Sequence, residues 1–270
     1  MSIVSSLQLL HVYDSESSED EVPGPRVSTK RSLNEDRGPE NSKKLCTRLP
    51  VPEQFVAEKP VEHIDDPCLH DGRIRTIPHE RGCWAVFVYI PFSVTETSGV
   101  RELCSFIKEL VPDRLNLHVS NEFHISLSKI LVIKFHWISS FVQTLKDRIN
   151  PFKKFFILFD GLKVYCNEEK TRTFISLEIR CGHNTLVQLV DAVDRCLDDF
   201  ELPTFYKNPS FHMSIAWCAD DKQEELEPYL AQFSDKLEEL KEAFDQDNWY
   251  LFAELIMCKV GNKIFQFTLQ

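Results

Sequence analysis

The sequence lacks several features that would place it at once in a common class of protein. Its formal net charge is −11, which argues against a broad basic surface for nucleic acid but is compatible with a local site that binds one end of a strand. No apolar run approaches the length of a membrane helix, and the longest, 84–92, has the length of a strand. Residues 1–13 lack a basic region ahead of their apolar residues, so we expect no secretion signal and no membrane association.

Cysteine is present without a recognisable pattern. The chain has 9 cysteines, an odd number, and no Cys-x-x-Cys pair, so reduced, scattered thiols in a reducing compartment are expected. The segment 63–71 contains His, Cys and Asp, but its spacing matches no standard zinc pattern. We therefore expect neither a metal nor another cofactor.

Composition divides the chain near residue 78. From residue 14 to about 59 the chain is rich in Ser, Glu, Pro and charge, and such a segment cannot bury enough apolar area to offset its ordering entropy. Residues 1–78 are thus predicted to be disordered, and 79–270 to form the folded domain. The basic pairs Lys30-Arg31 and Lys43-Lys44 match a split nuclear-import signal, but ordinary linker charge explains them equally well.

The pattern of apolar residues in the second part predicts alternating strands and helices. The predicted strands are 84–91, 123–131, 155–165, 171–180, 210–218, 250–259 and 263–269. The predicted helices are 95–110, 134–149, 184–200 and 224–244. Because short turns join several strand pairs, the order favours an α+β fold with antiparallel sheets over a doubly wound parallel one.

One five-residue pattern occurs twice. Phe123-His124-Ile125-Ser126-Leu127 returns as Phe211-His212-Met213-Ser214-Ile215. In an extended strand alternate side chains share a face, so each copy presents one histidine and one serine opposite its apolar residues. Chance predicts roughly a hundredth of one copy of the full pattern, so the duplication argues against two ordinary core strands. Each copy follows a stretch of strand and helix, which predicts two related lobes with the motifs facing each other across a groove.

Two histidines and two hydroxyls suit the chemistry of a phosphodiester in RNA. RNA carries its own nucleophile, the 2′-hydroxyl, and cleavage needs one base to take that proton and one acid to protonate the leaving 5′-oxygen. Two histidines can do both near neutral pH, and Ser126 and Ser214 can donate to the phosphoryl oxygens. The direct product is a 2′,3′-cyclic phosphate. The same groups could instead open such a ring, and spacing does not decide between the two reactions.

Four further residues fit a nucleotide site, among them Lys129, which ends the polar face of the first motif strand near the expected mouth of the groove. Tyr206 could stack on a base, and Lys207 could pair with a phosphate. Ser128 shares the face of Ser126 and could be a supporting donor. Outside the context of the motif, a capping aromatic and a surface lysine explain Tyr206 and Lys207 about as well.

The paired motifs resemble those of the two-histidine (2H) phosphoesterases. The stretches 164–174 and 205–212 are most similar to the branch of that family that processes the 3′ end of U6 small nuclear RNA, and the resemblance extends from about residue 80 to the end. It implies a bilobal α+β fold with a pseudo-twofold axis, both motifs lying in the central groove. It also implies a nuclear, metal-independent 3′-to-5′ exoribonuclease that trims the uridine-rich tail of that RNA and leaves a 2′,3′-cyclic phosphate.

The resemblance also assigns roles to residues. His124 would be the general base and His212 the general acid, while Ser126 and Ser214 would hold the scissile phosphate. Tyr206 would stack on the terminal base. The residues expected to contact the nucleotide are Ile125, Glu168, Tyr206, Ser210, Phe211 and Met213. Glu168 occupies a position where the family can have an amide; a carboxylate only accepts hydrogen bonds, although it can still accept from uracil N3–H.

Two other functions remain open from the residues. One is a 2′,3′-cyclic nucleotide phosphodiesterase or a ligase-like 2H enzyme acting on another RNA. The other is a catalytically silent RNA-binding module, against which the intact histidines and serines of both motifs argue. For the exonuclease the expected partner is a single-stranded RNA 3′ end, the uridine-rich tail of U6 RNA, and nothing in the sequence indicates that the protein is other than a monomer.

Overall fold

The computed structural model describes residues 80–93, 98–244 and 249–270, with isolated positions between 67 and 78. The chain divides into two units, Met1–Pro60 and Val61–Gln270, and every described residue belongs to the second. The predicted disordered region and its two basic pairs lie almost wholly outside the described residues, so both stay predictions. Within the described part, no helix is both long and apolar enough to span a membrane.

Strands and helices follow one another in the described residues much as the patterning predicts. The strands are β1 Cys83–Phe92, β2 His118–Val119, β3 Phe123–Ser126, β4 Leu131–Lys134, β5 Phe155–Cys166, β6 Arg172–Cys181, β7 His212–Ala219, β8 Tyr250–Ala253, β9 Leu255–Val260 and β10 Lys263–Thr268. The helices are α1 Gly99–Leu110, α2 Ile138–Ile149, α3 His183–Asp199, α4 Gln223–Leu226 and α5 Leu230–Ala243. The predicted α+β class, with antiparallel strands flanked by helices, is confirmed.

The strands form a sheet in the order β10-β9-β1-β3-β7-β6-β5-β8, with β2 added to β7 and β4 added to β1. Two four-stranded halves meet at β3 and β7, where one residue pair, Ile125 with Met213, joins them. Each half therefore carries one motif on its inner strand. The two lobes expected from the sequence are halves of one hydrogen-bonded sheet, and the motif strands are direct neighbours in it.

The sheet must be strongly curled. Only Glu254 separates β8 from β9, although six strand spacings, about 29 Å in a flat sheet, lie between them in the strand order. Two Cα steps reach only about 7 Å, so the two ends of the sheet approach each other. The backbone N–H of Leu269 donates to the carbonyl of Glu254 at 2.8 Å, which satisfies that junction. The predicted single strand 250–259 is divided here because its partner changes from β5 to β1.

Helices cover the apolar face of the sheet. The predicted inner stripe of α3 is buried, with exposed fractions of at most 4%: Leu186, Leu189, Val190, Val193 and Leu197. The apolar motif residues Ile125, Leu127, Met213 and Ile215 have no exposed surface. Each motif strand is thus held by its apolar side chains, which leaves its polar side chains on the opposite face.

Two predicted elements are interrupted, each for a local reason. The first motif strand ends at Ser126 rather than at 131, since Ser128 is buried and its Oγ accepts from the backbone N–H of Val88 at 2.9 Å. The hydroxyl of Ser128 thus accepts a hydrogen bond from β1 in place of a backbone carbonyl. The predicted helix 224–244 is divided by a short 3-10 turn, Glu227–Tyr229, that contains Pro228, because proline has no N–H for a helical hydrogen bond.

Candidate active site

The pair formed by Ile125 and Met213 determines the geometry of the site. In antiparallel register, the residues on either side of this pair place each motif histidine across from the serine of the other motif. Because both paired side chains are fully buried, the motif's polar side chains lie on the opposite face. These are His124, Ser126, His212 and Ser214. Cross-strand Cβ atoms lie about 4.5–5.5 Å apart, so four groups meet around a local twofold axis. The sequence prediction that the two motifs form one site agrees with this placement.

His212 is held by a ring stack and a hydrogen bond. Its ring lies on that of Tyr165, with centroids 4.0 Å apart and planes inclined by 18°. Its Nδ1 lies 2.7 Å from the carbonyl oxygen of Ser210. A carbonyl only accepts, so Nδ1 carries the hydrogen and Nε2 is the atom left to exchange a proton with a substrate.

A carboxylate lies beside His212. Glu178 is its cross-strand partner on β6 and lies 3.3 Å from the hydroxyl of Tyr165, which also lies 2.8 Å from the hydroxyl of Ser210. Burial lowers the pKa of His212, while the hydrogen bond to Ser210 and the charge of Glu178 oppose that shift, and Lys163 adds a smaller lowering effect. The surroundings of His212 therefore contain two features that favour the protonated ring.

His124 has different neighbours. The rings of Tyr89 and Phe87 lie 5.4 and 5.8 Å from it, between centroids. Burial lowers the pKa of His124, His212 and Lys259 lower it further, and Glu122 opposes the shift. Burial among aromatic rings is thus the main influence on the pKa of His124, and it favours the neutral ring.

The two serines also differ in their neighbours. The Oγ of Ser214 lies 3.0 Å from the Oγ of Ser176, which has no exposed surface and is its cross-strand neighbour. Ser126 lies across from Tyr89 of β1 and is half-buried. The contact with Ser176 restricts the rotation of the Ser214 hydroxyl, which is free to donate to a substrate when it accepts from Ser176.

A second cluster lies where the loop before β7 meets the turn between β5 and β6. The Nζ of Lys129 lies 4.1 Å from the ring centroid of Tyr206 and 3.2 Å from Oε2 of Glu168. Tyr206 is 41% exposed. The structure thus brings together two of the predicted nucleotide contacts, and Lys129 joins them.

Other predicted contacts are placed differently. The side chains of Ile125, Phe211 and Met213 belong to the core, so only their backbone atoms are available to a nucleotide. Ser210 is exposed and Lys207 lies at the surface of the same loop. Ser128 is buried, and its Oγ donates to the carbonyl of Lys129 and accepts from the backbone N–H of Val88 in β1, so its hydroxyl contacts backbone.

Three residues of the site were not singled out from the sequence: Tyr165, Ser176 and Glu178. They lie on β5 and β6, where polar residues interrupt otherwise apolar strands. These polar residues indicate that β5 and β6 have one polar face, but they do not show that this face lies next to β7. Among the described residues, no group of three or more His, Cys, Asp or Glu side chains is placed to hold a metal ion.

Comparison with known proteins assigns the chain to a family. The family model HVSL, described as an uncharacterised conserved protein, matches residues 49–268. U6 snRNA phosphodiesterase 1 of Mus musculus is 42% identical over 232 residues, which cover 83% of this chain and 84% of that protein. The chain belongs to the U6 snRNA phosphodiesterase family. The protein of the same name from Bos taurus is 40% identical over 266 residues, covering 96% of this chain and 97% of its own length.

Membership of the U6 snRNA phosphodiesterase family confirms the recognition made from the two motifs. The solved structure of Kluyveromyces marxianus Usb1 covers 68% of this chain and 98% of its own at 15% identity, with a TM-score of 0.48. That likeness is too distant to transfer the role of any residue. The roles of the site residues therefore follow from the geometry and chemistry of this chain.

Proposed function

We propose that this protein is a metal-independent 3′-to-5′ RNA exonuclease of the nucleus that trims the oligouridine tail of U6 small nuclear RNA. Homologues at about 40% identity carry the name U6 snRNA phosphodiesterase, which supports an RNA phosphodiesterase as the activity and U6 RNA as the substrate. The observation that carries the mechanism is the pair of histidines on neighbouring strands: the Nδ1 of His212 is held by the carbonyl of Ser210, whereas His124 lies among aromatic rings.

The reaction is a transesterification. Neutral His124 takes the proton of the 2′-hydroxyl on the nucleotide that will be retained, and that oxygen attacks the adjacent phosphorus. The bond from phosphorus to the 5′-oxygen of the terminal nucleotide breaks, and protonated His212 delivers its proton to that oxygen. Ser126 and Ser214 donate hydrogen bonds to the two non-bridging oxygens. The shortened RNA ends in a 2′,3′-cyclic phosphate, and the terminal residue of a 3′-hydroxyl RNA leaves as a nucleoside with a free 5′-hydroxyl.

The terminal base binds at Tyr206. An exposed tyrosine ring offers a stacking surface to any base, and the Glu168 carboxylate can accept a hydrogen bond from N3–H of uracil. The ammonium of Lys129 lies over the tyrosine ring and pairs with that carboxylate, so a base either uses the other face of the ring or displaces the lysine. The contacts of Ser210 and of the backbone at Ile125, Phe211 and Met213 with the nucleotide belong to the same proposal.

The test is incubation of the purified protein, in a metal chelator, with an RNA that ends in oligouridine and a 3′-hydroxyl. We expect stepwise shortening, with product masses that correspond to 2′,3′-cyclic phosphate ends. Masses of an opened monophosphate would add a second, ring-opening step. Loss of shortening in chelator would contradict the proposed metal-free mechanism.

Two controls sharpen this test. An RNA with a 2′-deoxynucleotide next to its terminal residue lacks the nucleophile and should remain intact. His124→Ala and His212→Ala should each slow shortening by about a hundredfold or more. His136→Ala, which removes an exposed histidine outside the site, should leave it unchanged. Cleavage of the deoxy substrate would show that the nucleophile is water and not the 2′-hydroxyl.

A further inference from the structure

The face of the sheet that carries the motif residues continues beyond His124. On one side of β1, Tyr89 lies across from Ser126 of β3. On the other side, Tyr89 lies across from Met257 of β9, and Phe87 lies across from Lys259. Cross-strand partners point to the same side of a sheet. Phe87, Tyr89, Met257 and Lys259 therefore form a surface next to the catalytic groups, called the upstream face below.

This upstream face combines stacked aromatic rings with a lysine. The rings of Phe87 and Tyr89 are stacked, with centroids 4.7 Å apart and planes inclined by 20°. Tyr89 is buried, whereas Phe87, Met257 and Lys259 are half-buried and reach the surface. Beyond them, Ile264 of β10 is 50% exposed, so the face is open towards that edge of the sheet.

The chemistry of the proposed reaction sets the direction of the RNA. The 2′-hydroxyl that His124 deprotonates belongs to the nucleotide that is retained, while the 5′-oxygen that His212 protonates belongs to the nucleotide that leaves. Tyr206, the site for the leaving base, lies in the loop directly before β7. The retained strand must therefore leave the site on the His124 side, which is the side of β1 and β9.

We propose that the upstream face binds the retained strand of single-stranded RNA: Phe87 stacks on the base of the retained nucleotide, and Lys259 pairs with the phosphate on its 5′ side. This inference rests on the proposed function, because it takes its direction from the roles of the two histidines. Stacking on an aromatic ring is tolerant of sequence, which suits a site that meets a new base after each cut.

The position of Lys259 supports its part of the proposal. It lies on β9, two strands or about 10 Å from β3, and its long side chain can cover the distance to the next phosphate of the chain. It is also close enough to lower the pKa of His124. In a protein with a net charge of −11, one lysine at this place supplies a local positive charge where an RNA backbone passes.

The first experiment measures the binding of two RNAs that cannot be cut. Both are the dinucleotide UU with a 2′-deoxy group on the first nucleotide, and only one of them carries a 5′-phosphate. Competition against a fluorescent oligouridine gives both affinities. We expect the 5′-phosphate to improve the affinity of the wild-type protein about fivefold at low salt, and less as salt is added. Lys259→Met should lose that gain. Lys263→Met removes an exposed lysine of the same hairpin that lies across from Val260, on the other face of the sheet, and should keep the gain.

The second experiment tests the stacking residue. In the wild-type protein, replacing the retained nucleotide by an abasic one should weaken binding about tenfold. In Phe87→Leu the same replacement should change the affinity by less than about twofold, and the comparison within one variant cancels any general effect of that substitution. Melting curves should show that each variant is folded.

The outcomes separate the two proposals. A gain from the 5′-phosphate that persists in Lys259→Met, or a loss on base removal that persists in Phe87→Leu, would overturn the assignment of the upstream face. If both couplings are found but the wild-type protein shortens no matched cleavable RNA, the exonuclease proposal fails and RNA binding at this face stands.

Discussion

Removing the aromatic ring under His212 should reduce the rate of cleavage more than the affinity for RNA. Tyr165 stacks on that histidine at 4.0 Å between centroids, and its hydroxyl lies 2.8 Å from Ser210 and 3.3 Å from Glu178. Tyr165→Leu removes the stack and both hydroxyl contacts. Tyr165→Phe removes the hydroxyl contacts alone. The pair therefore separates the contribution of the ring from that of the hydroxyl.

The expected magnitudes follow from these contacts. An aromatic stack contributes about 0.5–1.5 kcal/mol, and a hydrogen bond contributes about 1 kcal/mol net. If that energy holds the imidazole in its productive orientation, Tyr165→Leu loses about 2 kcal/mol and should lower kcat roughly thirtyfold. Tyr165→Phe should lower kcat about fivefold. KM should stay within about twofold in both, because Tyr165 acts on the histidine and not on the bound base.

Single-turnover and steady-state kinetics on a fluorescent oligouridine RNA measure these values. Tyr229→Leu is the matched control, since it removes a ring stacked on Phe233 away from the site and should leave kcat unchanged. A Tyr165→Leu enzyme within twofold of the wild-type kcat would refute the positioning role. An increase in KM with kcat unchanged would instead make Tyr165 a substrate contact.

Three further predictions concern the site and its support. Glu178→Gln removes an anion that opposes the lowering of the His212 pKa, so that pKa should fall further. Because His212 must be protonated to act as the acid, the alkaline limb of the pH–rate profile should move to lower pH. An unchanged limb would contradict the assignment of His212 as the acid. His124→Ala should cost about a hundredfold or more in rate, and more than Ser126→Ala; kinetics with the order reversed would overturn the assigned roles. Gly182→Ala should lower Tm by about 4 °C or more, since φ is +97° and the added Cβ would lie 2.8 Å from the carbonyl oxygen of Phe156; an unchanged melting curve would argue against this strained turn.

Much of the fold was predictable because its signals are local. Alternation over five residues identified both motif strands, and the apolar spacing of α3 identified the helix stripe that is buried against the sheet. Errors arose where a single residue interrupts a local pattern. Ser128 ends β3 with a side-chain hydrogen bond, and Pro228 divides the last long helix. Hydrophobic periodicity does not reveal either interruption, because each one depends on a single backbone N–H group.

The residues of the site also include some that the sequence predicted and some that only the tertiary structure revealed. Tyr206 was predicted from its place just before the second motif and Glu168 from family resemblance, and the contacts of Lys129 with both show that they share one cluster. Tyr165 and Glu178 could not be assigned to His212 from the sequence, since they reach it only through the pairing of β5 with β6 and of β6 with β7. Strand pairing joins residues that are distant in the chain, and local spacing carries no information about it.

The sequence by itself determined the type of chemistry, two histidines and two hydroxyls on strand faces, because the side-chain period of a strand is a property of the backbone alone. It also determined the α+β class and the family. Only the tertiary structure decided that each histidine lies across from the serine of the other motif, through the single pair of Ile125 and Met213. It alone placed Glu178 beside one histidine and Lys259 near the other, because these charges come from strands whose register is set by packing across the whole curled sheet.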